Sequence, residues 1–315
     1  MDVSFRKSAA LRWDGASNSF SVVSMDQLAW SVSDAGTMFG AILVERLRTY
    51  AGKLVDIEDH SDRLFSAAIQ LGIDIAVWKD RFANVCGQLI EHNHDLVRRL
   101  GDVSVVVLVS PGELDDARGF GKHPTCMAHI SPLPFKRLAK WYQFGTQLLS
   151  SAYTTVPSSC WPTQMKSRSR VPYLLSELNL KDEQGTSLAL LKTTCGTIAD
   201  TSIANVVVVM QDDTIVSPSS DKVLIGCTLK SITRLANTCG MSFEYRDIHD
   251  QDLAEAKEVI LTGTNGGVWF ARSVDDQLIG SGLAGPICSK LTYLWKEHVG
   301  IDFVEQACNF ELIAE

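Results

Sequence analysis

The sequence predicts an α/β protein of two domains, and three observations predict it. Extended and amphipathic-helical patterns alternate along the chain, two prolines interrupt it near residue 133, and 315 residues are more than one modest core requires. The composition, 45% hydrophobic and 21% charged, is that of an ordinary folded protein and excludes a disordered or collagen-like chain. A net charge of −8 with no dense Lys/Arg block gives no electrostatic reason to bind nucleic acid or an anionic membrane. No apolar run reaches the roughly 20 residues of a spanning helix. The start, Met1-Asp2-Val3-Ser4-Phe5-Arg6-Lys7, lacks the apolar middle of a signal peptide. The eight cysteines are scattered and form no C-x-x-C pair, which predicts reduced packing thiols in a cytoplasmic protein and no metal.

In chain order, residues 54–57 read as a short strand after the turn Ala51-Gly52-Lys53. Leu64, Ala67, Ala68 and Leu71 recur at helical spacing up to Gly72, and Phe82, Val85, Leu89 and Ile90 mark a second helix over 78–92. The β-branched run 103–109 reads as a strand buried on both faces, with 125–130 as its pair. Ser131-Pro132-Leu133-Pro134 continues neither a helix nor a central strand, so the domains are expected at 1–130 and 141–315, with a linker at 131–140. Beyond it a strand at 147–150, a Pro/Ser/Thr loop and a helix over 169–180 lead to short strands at 188–191, 197–200, 205–210 and 214–216, the pattern of a meander. Gly226-Cys227-Thr228 opens a helix that Gly240 ends, and 259–261 is a strand followed by the turn Thr262-Gly263-Thr264-Asn265-Gly266-Gly267.

Several residues have the setting for chemistry, each beside a plainer reading. Lys166 ends a Pro/Ser/Thr loop with Arg168 and Arg170 nearby; neighbouring cations favour the neutral, nucleophilic amine, while the plainer reading is a basic loop meeting a helix. Asp200 and Asn205 bracket Thr201-Ser202-Ile203-Ala204, either a polar site or a simple turn. The Gly226-Cys227-Thr228 helix start and the Thr262-to-Gly267 turn offer backbone N–H groups suited to phosphate, or merely cap and turn the chain. Arg63 in a helical first turn would meet an anion or an acidic neighbour such as Asp59. His92-Asn93-His94 has no matching ligand cluster and reads as surface.

Taken in order, these segments resemble the class IV, or fold-type IV, pyridoxal-phosphate enzymes, among them branched-chain and D-amino-acid aminotransferases and aminodeoxychorismate lyase. Asp34-Ala35-Gly36-Thr37-Met38-Phe39-Gly40 with Glu45 and Arg48 is similar to the family's D-x-G-x-x-Y/F-G…F-E-x-x-R, and His60-Ser61-Asp62-Arg63-Leu64 to H-x-x-R-L. Lys166 with Arg170 resembles the Schiff-base lysine motif K-H-x-x-R, with Ser167 in place of the histidine. GTIADTSIAN at 196–205, Leu224-Ile225-Gly226-Cys227-Thr228, the 253–259 segment, Leu261-Thr262-Gly263-Thr264 and Gly285-Pro286-Ile287 match its later motifs.

The resemblance implies the D-amino-acid-aminotransferase-like fold with pyridoxal 5′-phosphate in the interdomain cleft. Lys166 would carry the cofactor and shuttle a proton, and Asp200 would face the pyridine nitrogen, these two being the catalytic pair. Arg63, Gly226, Cys227, Thr228, Gly263 and Thr264 would bind the cofactor, with Asn205 supporting Asp200. It further implies an amino acid and a 2-oxo acid as substrates, and a homodimer. Three departures stand out: Asp200 replaces the family's glutamate, Leu229 replaces the arginine of G-I-T-R, and Val171 stands where branched-chain enzymes have tyrosine. Those enzymes also carry an arginine in the strand matching 103–109, which this run lacks, so the substrate carboxylate needs another partner; Arg48 and Arg168 are candidates. An aminotransferase is therefore expected, with a pyruvate-releasing lyase of the aminodeoxychorismate type, or a non-catalytic binding protein on the same scaffold, as alternatives.

Overall fold

The computed structural model describes residues 3–14, 17–114, 123–180, 182 and 185–313, and its strands form two sheets. The chain separates into two units, Met1–Leu133 with Met165–Ser169, and Pro134–Gln164 with Arg170–Glu315.

The first unit holds β1 (Ala9–Asp14), β2 (Ser19–Ser24), β3 (Leu43–Tyr50), β4 (Lys53–Leu54), β5 (Val103–Ser110) and β6 (Thr125–Pro132) in the antiparallel order β2-β1-β6-β5-β3-β4. Its helices are α1 (Val3–Arg6), α2 (Ala35–Phe39), α3 (Ile57–Gln70), α4 (Phe82–His92) and α5 (His94–Leu100). The β-branched run becomes β5 in mid-sheet, paired with β6 from Val103↔Pro132 to Ser110↔Thr125. Leu43, Leu47, Val105, Val107 and Ile130 share one core with Leu64, Ala67 and Ala68 of α3 and with Phe82, Val85 and Leu89 of α4. Burying a side chain of this size contributes roughly 1.5–3 kcal/mol.

Two local expectations differ from the structure. The strand expected over 54–57 stops at Leu54, because Asp56 takes φ +53° and turns the chain into α3. The helix expected over 78–92 is a 3₁₀ stretch, Ala76–Arg81, followed by α4. The backbone of residues 165–169, expected with the second half, belongs to the first unit. The Val44 N–H donates to the Lys166 carbonyl at 3.0 Å and the Arg168 N–H to the Ile42 carbonyl at 2.8 Å, so this stretch lies along the edge of β3.

The second unit contains β7 (Thr146–Thr154), β8 (Leu188–Lys192), β9 (Ile198–Thr201), β10 (Asn205–Val209), β11 (Ile215–Ser217), β12 (Phe243–Tyr245), β13 (Glu258–Gly263), β14 (Gly267–Val274) and β15 (Gln277–Leu278). The order is β12-β11-β10-β13-β14-β7-β8-β9, and β9 pairs again with β10, closing six strands into a ring. Within this sheet β8 to β11 pair in succession, the meander their spacing suggested. The helices are α6 (Phe135–Phe144), α7 (Val171–Leu178), α8 (Cys227–Thr238), α9 (Asp250–Ala254), α10 (Pro286–Val299) and α11 (Phe303–Ile313). The expected helix over 169–180 is the shorter α7, with Pro172 in its first turn, where a missing N–H costs nothing. Among the described residues no helix is long and apolar enough to cross a membrane.

Candidate active site

In the first unit a single carboxylate gathers the charged residues. Glu45 lies on the core side of β3, 1% exposed, with α3 packed beside it. His60 and Arg63, one turn apart on α3, both reach it. Arg63 donates from Nε to Oε2 at 3.0 Å and from Nη2 to Oε1 at 2.6 Å, and His60 Nδ1 lies 2.8 Å from Oε1. Held by the backbone pairing along β3, Lys166 brings Nζ to 3.9 Å from the same oxygen. Burial alone would push the Glu45 acid up, but the charges of Arg63, Lys166 and His60 outweigh it and hold the carboxyl well below its usual range. Glu45 is thus a fixed anion against which an amine and a guanidinium are set. In the sequence Glu45 is one residue of a motif with no evident role of its own; its signal is that of a lone acid in the otherwise apolar Leu43-Val44-Glu45 start of a buried strand.

Of the residues expected to contact the substrate, Arg48 is 1% exposed with its guanidinium 4.2 Å above the Tyr50 ring, whereas Arg168 is exposed. Asp34 of the opening motif is fully buried and ties loops together, accepting from the Gly36 N–H, Ser110 Oγ and Thr125 Oγ1 at 2.5–2.6 Å. His94 pairs with the adjacent Asp95 at 3.0 Å on the surface.

The second unit brings together Asp200, Asn205, the start of α8 and the 262–264 turn. Asp200, on β9, pairs in register with Asn205 of β10, which pairs in turn with Thr262 of β13. Asn205 Oδ1 accepts from the Gly226 N–H at 2.9 Å and its Nδ2 donates to the Leu224 carbonyl at 2.7 Å, fixing the chain as it enters α8. Gly226 is the N-cap and brings no side chain to it, so the first N–H groups of this 12-residue helix have no capping partner. A Cβ on Gly226 would lie 2.5 Å from the side-chain Asn205 Oδ1, and one on Gly263 2.9 Å from the Ile203 carbonyl oxygen, so both positions are packed too closely for a larger residue without a shift. The Thr262 hydroxyl beside them is buried and has no hydrogen-bond partner among the described residues.

Asp200 is buried with Tyr173 Oη donating to Oδ1 at 3.2 Å. Burial pushes its carboxyl up to about 7, against the opposing pull of Arg170 and of the Tyr173 hydrogen bond. Arg170 stacks 4.2 Å over the Tyr173 ring and also donates to the Ser202 carbonyl. Tyr173 went unnoticed in the sequence because it stands two residues beyond Val171, the position compared with the relatives' tyrosine.

The amino-transferase class IV family profile matches residues 42–274, about three-quarters of the chain, taking in Glu45, Arg63, Lys166, Asp200, Thr228 and Thr264. The chain belongs to the class IV aminotransferase family. It is 25% identical over 261 residues to the D-alanine aminotransferase of Bacillus licheniformis, covering 83% of this chain and 88% of that one. Its fold is that of the branched-chain aminotransferase of the thermophilic archaeon Thermoproteus uzoniensis with norvaline, at TM-score 0.78, 17% identity and coverage of 96% and 98%. It is equally that of 4-amino-4-deoxychorismate lyase from Pseudomonas aeruginosa, at TM-score 0.73, 21% identity and coverage of 88% and 97%. Within this class IV chain, among the described residues, no group of three His, Cys, Asp or Glu side chains is placed to hold a metal.

Proposed function

We propose that this chain is a pyridoxal 5′-phosphate-dependent aminotransferase passing an amino group between an amino acid and a 2-oxo acid, with Lys166 as its reactive amine. The observation that carries the reading is the Lys166 amine set 3.9 Å from the buried Glu45 carboxylate in a class IV chain. The donor set fits the cofactor. An uncapped helix start suits a phosphate, the glycine contacts at Gly226 and Gly263 keep its approach open, and a buried carboxylate suits a ring nitrogen. When bound, the cofactor supplies an aldehyde that condenses with amines and a ring that withdraws electrons from the substrate carbon.

The first unit contributes Lys166, which holds the cofactor and, once freed, moves a proton to and from the substrate carbon at Nζ. Glu45 Oε1 offsets the positive charge that Nζ then carries, and Arg63 adds positive charge for the phosphate. The second unit contributes the phosphate donors, namely the N–H groups of Cys227 and Thr228 and the hydroxyls of Thr228 and Thr264, with Gly226 and Gly263 shaping the backbone. Asp200 holds the ring nitrogen's proton at its carboxylate, and Asn205 fixes the strand pair that carries Asp200. We also propose a homodimer, supported by the exposed apolar side chains of α7, and a cytoplasmic setting. Free buried thiols at Cys86, Cys126, Cys227 and Cys288 support that setting.

The test is the visible absorption of the purified protein with added pyridoxal 5′-phosphate, for wild type and Lys166→Ala, before and after a panel of D- and L-amino acids. A visible band that needs Lys166 and bleaches with particular amino acids is the expected result. A wild type that develops no such band sinks the reading. Pyruvate release from aminodeoxychorismate without any 2-oxo acid would move the assignment to the lyase.

A further inference from the structure

Two arginines and a histidine of the first unit gather on one side of its sheet. Arg46 of β3 stands opposite Val106 of β5, and Val106 opposite His129 of β6, so Arg46 and His129 lie in one row roughly 10 Å apart. The neighbouring row, Leu47, Val105 and Ile130, is in the hydrophobic core; the Arg46 row therefore faces the other way. Arg168 reaches this side from the stretch paired along the edge of β3, two residues beyond Lys166.

Among the described residues the Arg46 guanidinium has no hydrogen-bond or ion-pair partner, although it is half-buried. Burial and the nearby charge of Arg168 lower it to about 10. His129, whose Nδ1 donates to the Ile130 carbonyl at 2.9 Å, is lowered from 6.5 by burial and by the charges of the same two arginines. Withdrawing a charge from water without a counter-ion is unfavourable. This chain has 37 acidic residues, yet among the described ones none is placed against Arg46 to lower that cost. An incoming anion relieves it, and a planar carboxylate matches a guanidinium fork best.

We infer that Arg46 and Arg168, with His129 beside them, form a subsite for a carboxylate of the substrate acid. The inference rests on the aminotransferase reading, and it supplies the carboxylate partner that the strand 103–109 lacks.

Protein incubated with pyridoxal 5′-phosphate is titrated by calorimetry with glutarate and with pentanoate, as wild type, Arg46→Met, Arg46→Lys and Arg168→Met. Wild type is expected to bind, Arg46→Met to bind about ten- to a hundredfold more weakly, and Arg46→Lys to recover part of the loss. Weakening for both acids assigns the subsite to the carboxylate that every amino acid carries; weakening for glutarate alone assigns it to a second, side-chain carboxylate. Unchanged affinity in both Met variants, or no binding of either acid by wild type, overturns the inference. Arg168→Met carries the test if Arg46→Met does not fold. Cofactor uptake, read separately by absorbance, keeps the parent reading distinct: a protein that takes up none but loses glutarate on Arg46→Met still has the anion site.

Discussion

Two buried carboxylates in this protein are driven in opposite directions by their neighbours. Glu45 has Arg63, Lys166 and His60 around it and stays an anion far into acid; Asp200 has Arg170 and a tyrosine hydroxyl, and burial wins, lifting it to about 7. For Asp200 the consequence for stability is calculable in sign. In the unfolded chain it ionises near 3.8, whereas in the folded protein it keeps its proton until about 7, so between those values the folded state binds the extra proton. Stability therefore falls as pH rises from about 4 to about 7 and is flat in this term above that, a loss on the order of a few kcal/mol. Asp200→Asn should remove the slope: in the cofactor-free protein, urea unfolding from pH 4 to 8 should show the variant gaining on wild type as pH increases. Parallel pH profiles for the two proteins would show that Asp200 is ionised throughout. The sequence could show that Asp200 was an acid at a glutamate position; it could not show this shift, which comes from packing by β9, α7 and Tyr173.

The contrast between legible and illegible elements follows the range of the forces that make them. β5 was readable because six of the seven residues from 103 to 109 are apolar, a run that only a strand buried on both faces accommodates, and α8 because Gly226 and Gly240 mark its ends. The edge pairing of 165–169 with β3 was not, since its hydrogen bonds join residues more than 120 apart and leave no periodicity in either segment. The turn that ends at Asn205 lies between: its polar residues were evident, its grip on the entry to α8 was not. That grip is testable with Gly226→Ala. The φ of −67° suits alanine, so the backbone itself is unstrained, but the new Cβ would sit 2.5 Å from Asn205 Oδ1 and displace the carboxamide from both its partners. Losing two such bonds costs about 1–3 kcal/mol. Urea unfolding should register that loss, and titration with pyridoxal 5′-phosphate should show a weaker phosphate grip as the helix start shifts. Unaltered stability would mean that Asn205 does not brace the entry to α8.

An acidic chain with an apolar stripe in the open needs a partner for that stripe. On α7 Val171, Leu174 and Leu178, spaced three and four residues apart, are 62%, 57% and 71% exposed, and so lie on one side of the helix. Contiguous apolar surface of this kind on a soluble protein marks an interaction face, and a second copy of the same chain is the partner that needs no further component. A stable interface takes about 800 Å² from each partner, more than two turns of helix supply, so α7 is one part of it. A charge placed in the middle of the stripe should still be decisive. Burying a carboxylate against apolar side chains is far more unfavourable than the loss of one leucine contact. Leu174→Glu is therefore expected to sediment as a monomer at micromolar concentration where wild type sediments as a dimer, with the same far-UV circular dichroism. The variant's side chain is solvent-exposed in the single chain, so its fold has no reason to weaken. If wild type is itself monomeric across that range, or if Leu174→Glu remains a dimer, α7 is not the joining surface.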